Sequence, residues 1–318
     1  MNTRPLDWRD LSVVRRYRHQ CLFFDSTLAL TRGPLLDWAK TVFASLAPAR
    51  GIFTYLAVED DHTAQPVLGQ ATFLPGANSA RLTCLAPENA LESAGVEPLL
   101  DFILADLGAR GAYHVLAEAD DCQQSCEALH AMGFAIYARQ RIWQLNGEPA
   151  GPAIPAPWRF CTDQDAISIR SLYNNLTPGL VQQVEPAPAH RSHGMVYYQG
   201  QDLLAYVDLK LGPNGIWIQP FIHPDVEGVP ARLAYLLQNL PNRRQRPVYL
   251  CVRSYQAWLE ASLEALGAQP GPRQAVMVKR MAISRRVVQA AALPVLEGKR
   301  AEPTVPIAQV KRIWFSRK

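Results

Sequence analysis

Side chains able to do chemistry fall in a few places along the chain. Cys122, Cys126 and His130 stand four apart, so one helix face would carry all three, as the start of a zinc site would require. One helix supplies too few converging ligands, and no C-x2-C pair occurs elsewhere, so packing is the stronger reading and no metal is expected. His223 ends the apolar run 216–222. An imidazole titrating near pH ~6.5 suits a general base, although a solvated strand end is the stronger reading of the residue. Tyr255 follows the apolar run 248–252, and Glu118, Asp120 and Asp121 follow the run 113–117. These acids suit proton transfer, or a helix N-terminus, where the dipole favours negative charge. Cys84 is a nucleophile by type but lies in an apolar stretch, where burial raises a thiol's pKa and leaves it inert.

The elements that position these residues come twice. Leu129, Gly133, Arg139 and Gln140 recur at the same mutual spacing as Leu263, Gly267, Arg273 and Gln274. In each block a helix stops at a glycine and turns into a strand. The two openings match as well. Arg4 precedes Asp10 by six residues and Arg159 precedes Asp165 by six, each suggesting a short strand that leads into an acid-capped helix. Between the copies runs Gly147-Glu148-Pro149-Ala150-Gly151-Pro152-Ala153-Ile154-Pro155-Ala156-Pro157, too proline-rich for a helix interior or a central strand. A chain of 318 residues suits two domains. The expected division is 1–146, a linker over 147–157, 158–282, and an extension over 283–318.

Within each half the pattern predicts strand, helix and a poorly patterned helical region (28–47 and 176–193). Three antiparallel strands, a helix, an apolar strand, a helix and a closing strand follow. That order gives an α/β (α+β) fold with a mixed, mostly antiparallel sheet flanked by helices. Pro220, inside the second copy's third hairpin strand, demands an edge or a bulge there.

Composition excludes little beyond the extremes. The chain is 48% hydrophobic and 19% charged, with 32 basic against 28 acidic residues and a net charge of +4, as in ordinary globular proteins. No apolar run approaches the ~20 residues of a membrane span, and the N-terminus lacks a signal-peptide core. A cytoplasmic location is expected, and six scattered cysteines suit free thiols in a reducing compartment. The basic, aromatic tail 311–318 reads as a packing arm rather than an RNA-binding surface.

Arg4-Pro5-Leu6-x3-Asp10, Leu129-x3-Gly133-Phe134 and His223-Pro224-Asp225 resemble the opening, the closing helix and the fourth-strand exit of GNAT-type acyl-CoA N-acyltransferases. The likeness runs through two tandem copies. It implies that the fourth and fifth strands of a copy splay apart and hold the pantetheine arm of acetyl-CoA or another acyl-CoA. A loop of the form Arg/Gln-x-x-Gly-x-Gly/Ala would then wrap the pyrophosphate at a helix N-terminus. Carried onto this chain, the resemblance assigns cofactor contacts to Cys84 and Leu85 in the first copy. In the second it assigns them to Phe221, Ile222, Gly228, Val229, Ala231 and Arg232. Glu118, His223 and Tyr255 become the candidate catalytic groups.

Both copies depart from the family pattern. The first copy's loop, 87–96, has one glycine, two acids and no arginine. The second places Glu227 where a cation or amide should lead and Pro230 in a small position, with Arg232 as the replacement cation. The last helix, where a proton-donating tyrosine often sits, carries Leu129 and Leu263. The resemblance therefore implies an N-acetyltransferase acting on a small-molecule or peptide amine, with at most one copy active and the second favoured. The alternatives are a catalytically degenerate module that binds a small molecule or a protein, and a transferase using aminoacyl-tRNA.

Overall fold

In the computed structural model, the described residues are 2–33, 51–58, 65–121, 124–188 and 193–281. The strand-turn 60–62, Cys122 and the basic tail lie outside them. The first half runs β1 (Asn2–Pro5), α1 (Leu11–Tyr17), β2 (Leu22–Phe23), α2 (Ser26–Arg32), β3 (Ile52–Val58), β4 (Val67–Thr72), β5 (Ser79–Ala86), α3 (Val96–Ala109), β6 (His114–Asp120), α4 (Gln124–Ala131) and β7 (Ala135–Leu145). The second runs β8 (Arg159–Phe160), α5 (Ala166–Leu176), α6 (Gly179–Val184), β9 (His193–Gln199), β10 (Asp202–Leu211), β11 (Ile216–Ile222), α7 (Val229–Gln238), β12 (Val248–Arg253), α8 (Leu259–Ala265) and β13 (Gln269–Arg280).

The thirteen strands of the described residues form one sheet in the order β1-β3-β4-β5-β6-β13-β7-β12-β11-β10-β9-β8, with β2 paired to β5. The order is palindromic about the β13–β7 pair, so each half's closing strand has crossed into the other half. β13 pairs with β6, and β7 with β12. The exchange is also written in the core. Ala275 and Met277 of β13 are buried among the first half's Leu99, Leu100 and Ile103. Trp143 and Leu145 of β7 are buried among the second half's Leu233, Leu237 and Leu250. Fully burying such side chains contributes roughly 1.5–3 kcal/mol each, so each half completes its core with residues of the other. The pseudo-dyad passes the repeated glutamines. Gln140 stands opposite Gln274 in register, and its Nε2 donates to Gln274 Oε1 at 2.9 Å.

The other repeated residues are accounted for locally. Gly133 and Gly267 have φ of 80° and 79°, which an L side chain resists. The residue after each glycine donates back to Leu129 O at 3.0 Å and to Leu263 O at 3.1 Å, closing the helix as Schellman-type caps do. Both leucine side chains are buried, so the leucine packs the core while its carbonyl ends the helix.

The opening acids do not cap their helices directly, as the spacing suggested. Each closes a capping box across a 3-10 turn (Trp8–Asp10 and Asp163–Asp165) and takes a bidentate arginine. Arg4 reaches Asp10 at 2.6 and 2.8 Å, and Arg159 reaches Asp165 at 2.7 and 2.6 Å. The Arg159 hydrogen bonds outweigh the burial penalty and hold the Asp165 carboxyl well below the usual range.

The helices cross between halves too. Thr31 O of α2 accepts from Asn214 N at 2.9 Å, on the turn after β10. Val184 O of α6 accepts from Ser79 Oγ at 3.3 Å, at the start of β5. Each of these short helices therefore roofs a space against the opposite half.

Candidate active site

In the first half, β5 and β6 pair in parallel only over Ser79–Arg81 and His114–Leu116. Beyond that the two strands part, and the chain fills its own gap. β2 pairs Leu22 with Leu85 and Phe23 with Cys84. Phe24 N donates to Thr83 O at 2.9 Å, and Phe24 O accepts from Glu118 N at 2.9 Å. The backbone groups along Cys84 and Leu85, expected to meet a ligand, are instead spent on β2. The hydrogen bond to Cys21, together with burial, also pushes the Cys84 thiol well up, so it stays a thiol.

Glu118 does not follow the fifth strand but lies within it, buried. Its Oε2 accepts from Ser26 N, the first amide of α2, at 3.0 Å, and its Oε1 lies 3.4 Å from Arg81 Nη1. It serves a helix N-terminus. The loop before α3 consumes its own amides. Gly95 N donates to Ser93 Oγ at 3.2 Å, and Val96 N to Ser93 O at 3.1 Å.

The second half differs. β11 and β12 pair over Ile216–Ile218 and Val248–Leu250 and then separate. Among the described residues no strand pairs into this gap. Ile216 N donates to Pro247 O at 3.0 Å, so by strand alternation residues 218, 220 and 222 present their backbone groups on the same edge. Pro220 thus lies where β12 has already departed, and its missing N–H deprives no neighbour. This gap is the local edge that a proline requires. At the far end Gln256 Nε2 donates to Ile222 O at 3.2 Å.

The loop after β11 ends at Gly228, in the left-handed region with φ 62°, and α7 begins at Val229 with Pro230 in its first turn. Pro230 has no N–H to offer, and the amides of Val229 and Ala231 open the helix without intrahelical acceptors. Arg232 donates from Nε to Glu227 O at 2.8 Å, and its guanidinium lies 4.9 Å from the Tyr197 ring centroid. His223 faces its own loop, because Nδ1 accepts from Asp225 N at 3.3 Å. The same nitrogen lies 3.4 Å from Asp225 Oδ2, so the ring is engaged by its own loop.

Sequence reasoning missed the buried charges beside the gap. Arg253, the last residue of β12, is 4% exposed and meets Glu185 at 2.7 Å. Tyr137 OH donates to the same Glu185 oxygen, and Tyr173 OH donates to Glu185 O at 2.7 Å. Burial alone would raise the Glu185 carboxyl, but Arg253, Arg81 and the Tyr137 hydrogen bond hold it below the usual range. Among the described residues, Arg253 Nε and Nη1 are buried with no hydrogen-bond partner. An arginine ending an otherwise apolar strand was the available signal. Tyr255 follows on the next 3-10 turn, and burial pushes its hydroxyl up to about 12.

Next to this cluster lies a cavity of about 410 Å3. Tyr173 and Phe221 wall it, with ring centroids 5.6 Å apart, and Asp208, Gln219, Glu185 and Arg81 supply polar groups. The structure therefore places Phe221 on β11 at the wall of this cavity and packs Tyr255 against the cluster of Leu116, Tyr137, Val181 and Val184. It sends Glu118 to the opposite half and His223 to its own loop. Cys126 is buried with its sulfur 3.9 Å from Met277 Sδ, and His130 Nδ1 lies 3.2 Å from Phe134 O. Among the described residues no three His, Cys, Asp or Glu side chains converge as a metal site, and no helix is long and apolar enough to cross a membrane.

No protein-family model matches the chain, and no curated protein sequence matches it. Solved structures do. A GCN5-related N-acetyltransferase from Sphaerobacter thermophilus aligns with a TM-score of 0.53 at 14% identity, over 89% of this chain and 96% of its own. A tandem GNAT protein from the clavulanic acid biosynthesis pathway, solved without AcCoA, aligns at 0.52 and 16%, over 89% and 99%. At such identities the likeness speaks to architecture, and it agrees with the doubled strand order, the parting of the fourth and fifth strands and the helix-opening loop: the chain has the tandem GNAT fold.

Proposed function

We propose that the protein is an acyl-CoA-dependent N-acetyltransferase that works through its second half alone. One observation carries this reading: among the described residues no strand enters the β11–β12 gap, whereas Leu22–Phe24 occupies the β5–β6 gap. The acyl arm lies along Pro220, Phe221 and Ile222, whose gap-facing edge has no strand partner among the described residues. The diphosphate meets Gly228 and the Val229 and Ala231 amides, with the dipole of α7 and the Arg232 cation favouring its charge. The acceptor amine enters from the 410 Å3 cavity. Its nitrogen attacks the thioester carbonyl, the C–N bond forms and the C–S bond breaks. Tyr255, protonated at neutral pH because burial lifts it to about 12, donates to the leaving thiolate. The amine's proton leaves through cavity water past Asp208 and Glu185. The first half is the scaffold that supplies β7 and one cavity wall.

A binding module without transfer is the second reading, favoured by the bond from Gln256 to Ile222 O, which closes one end of the gap. Titration calorimetry with acetyl-CoA, followed by thiol release in the presence of an amine panel, tests both. One acetyl-CoA per chain is expected, weakened at least tenfold by Arg232→Glu and unaffected by Cys84→Ala. Absence of binding, or two equivalents per chain, refutes the transferase reading. Binding without thiol release under any amine leaves the module.

A further inference from the structure

The first half, with its own gap closed, keeps a cavity. It measures about 440 Å3 and lies over β7, β12 and β13, apart from the one described above. α2 roofs it, and strands that belong to the second half's part of the sheet make its floor. Leu30 packs with Ile142 and Trp217, and Phe23 of the closing strand β2 forms a wall. We propose that this cavity is a second ligand site, separate from acyl transfer, for a small organic cation with an apolar or aromatic body.

The chemistry follows from the lining. Asp120 is the one charged side chain among the lining residues. Its Oδ1 accepts from Gln274 Nε2 at 3.3 Å, a neutral donor, and no lining cation balances it. A carboxylate at the wall of a half-enclosed, partly apolar space favours a cation and opposes an anion. Tyr249 and Phe23 present aromatic surface, which suits both an apolar body and a positive charge. Ser26 and Gln144 add neutral hydrogen-bonding groups. The first cavity is composed differently, since Arg81 and Glu185 line it together. With β2 hydrogen-bonded into the neighbouring gap, no thioester reaches a ligand held here. The site binds without transferring.

Calorimetry on the full chain tests this, with tryptamine as the probe and tryptophol and indole-3-acetate as its neutral and anionic counterparts. Tryptamine should bind at least tenfold more tightly than tryptophol, and indole-3-acetate should give no heat. Ala29→Phe, which fills the cavity from α2, and Asp120→Asn, which keeps its shape, should each weaken tryptamine at least tenfold. Asp208→Asn, in the other cavity, should leave that affinity in place. The proposal falls if tryptamine gives no heat at millimolar concentration, if both cavity variants bind as the wild type does, or if Asp208→Asn alone removes binding. Acetyl-CoA titrated into the same variants reads the transferase site separately. Absent acetyl-CoA binding to the wild type with intact tryptamine binding would sink the proposed function and leave this site standing.

Discussion

Glu185→Gln puts the buried charge cluster to a quantitative test. Arg253 is 4% exposed and Glu185 15% exposed, so neither charge is well solvated. Two of the arginine's donors already lack partners among the described residues. Removing the carboxylate charge leaves a buried guanidinium uncompensated, and breaking such a pair costs roughly 3–5 kcal/mol. The glutamine retains an oxygen for Tyr137 and Arg253, so a loss of about 3 kcal/mol, at the lower end, is expected at pH 7. Equilibrium urea unfolding followed by tryptophan fluorescence measures it. The sign with pH follows from the depressed Glu185 carboxyl. Its stabilisation is complete above the unfolded value of about 4.3 and is lost as pH falls through the folded value. Wild type and variant should therefore converge in acid. Glu185→Leu with Arg253→Met, which removes both charges, should lie within about 1 kcal/mol of the wild type. A loss below about 1 kcal/mol for Glu185→Gln, or a double variant as unstable as the single, would refute the reasoning.

Two further expectations concern the frame around the sites. Asp165 joins Arg159, the Thr162 amide at 2.8 Å and Tyr198 OH at 2.8 Å. Because Arg159 is half exposed, its ion pair counts for little, and Asp165→Asn should cost about 2 kcal/mol, chiefly in hydrogen bonds to the charged group. Asp165 is held below its ordinary value, so this contribution is full above about pH 4 and lost in stronger acid, and the variant's acid-unfolding limb should be shallower. Gly212→Ala would set a Cβ 2.2 Å from Thr31 O. That forces α2 off the second half and should cost about 1–3 kcal/mol, read as a lowered Tm. An unchanged Tm would show that α2 is not docked there.

Much of the architecture was legible because its signals are local. A helix stopped by Gly133 or Gly267 closes through bonds reaching only a few residues back. The Arg-x5-Asp pairs close over six residues. Such features leave the same mark wherever the chain later goes. Pro220 announced an edge because proline's missing donor is a property of the residue itself. The site was less legible. Glu118 and His223 have the right types for proton transfer, but type does not say which neighbour consumes a lone pair, and here Ser26, Arg81 and Asp225 do. Glu185 and Arg253, 68 residues apart, meet only because α6 folds over the sheet.

The sequence by itself determined two copies, their element order and the places where helices end, all of which follow from residues close together in the chain. Only the tertiary structure decided that β7 and β13 trade places, that Leu22–Phe24 closes one gap while no described strand enters the other, and that both cavities lie where the halves meet. The reason is physical. Backbone N–H and C=O groups pair with whatever edge lies nearest, and an unpaired strand edge carries no sequence code for its partner.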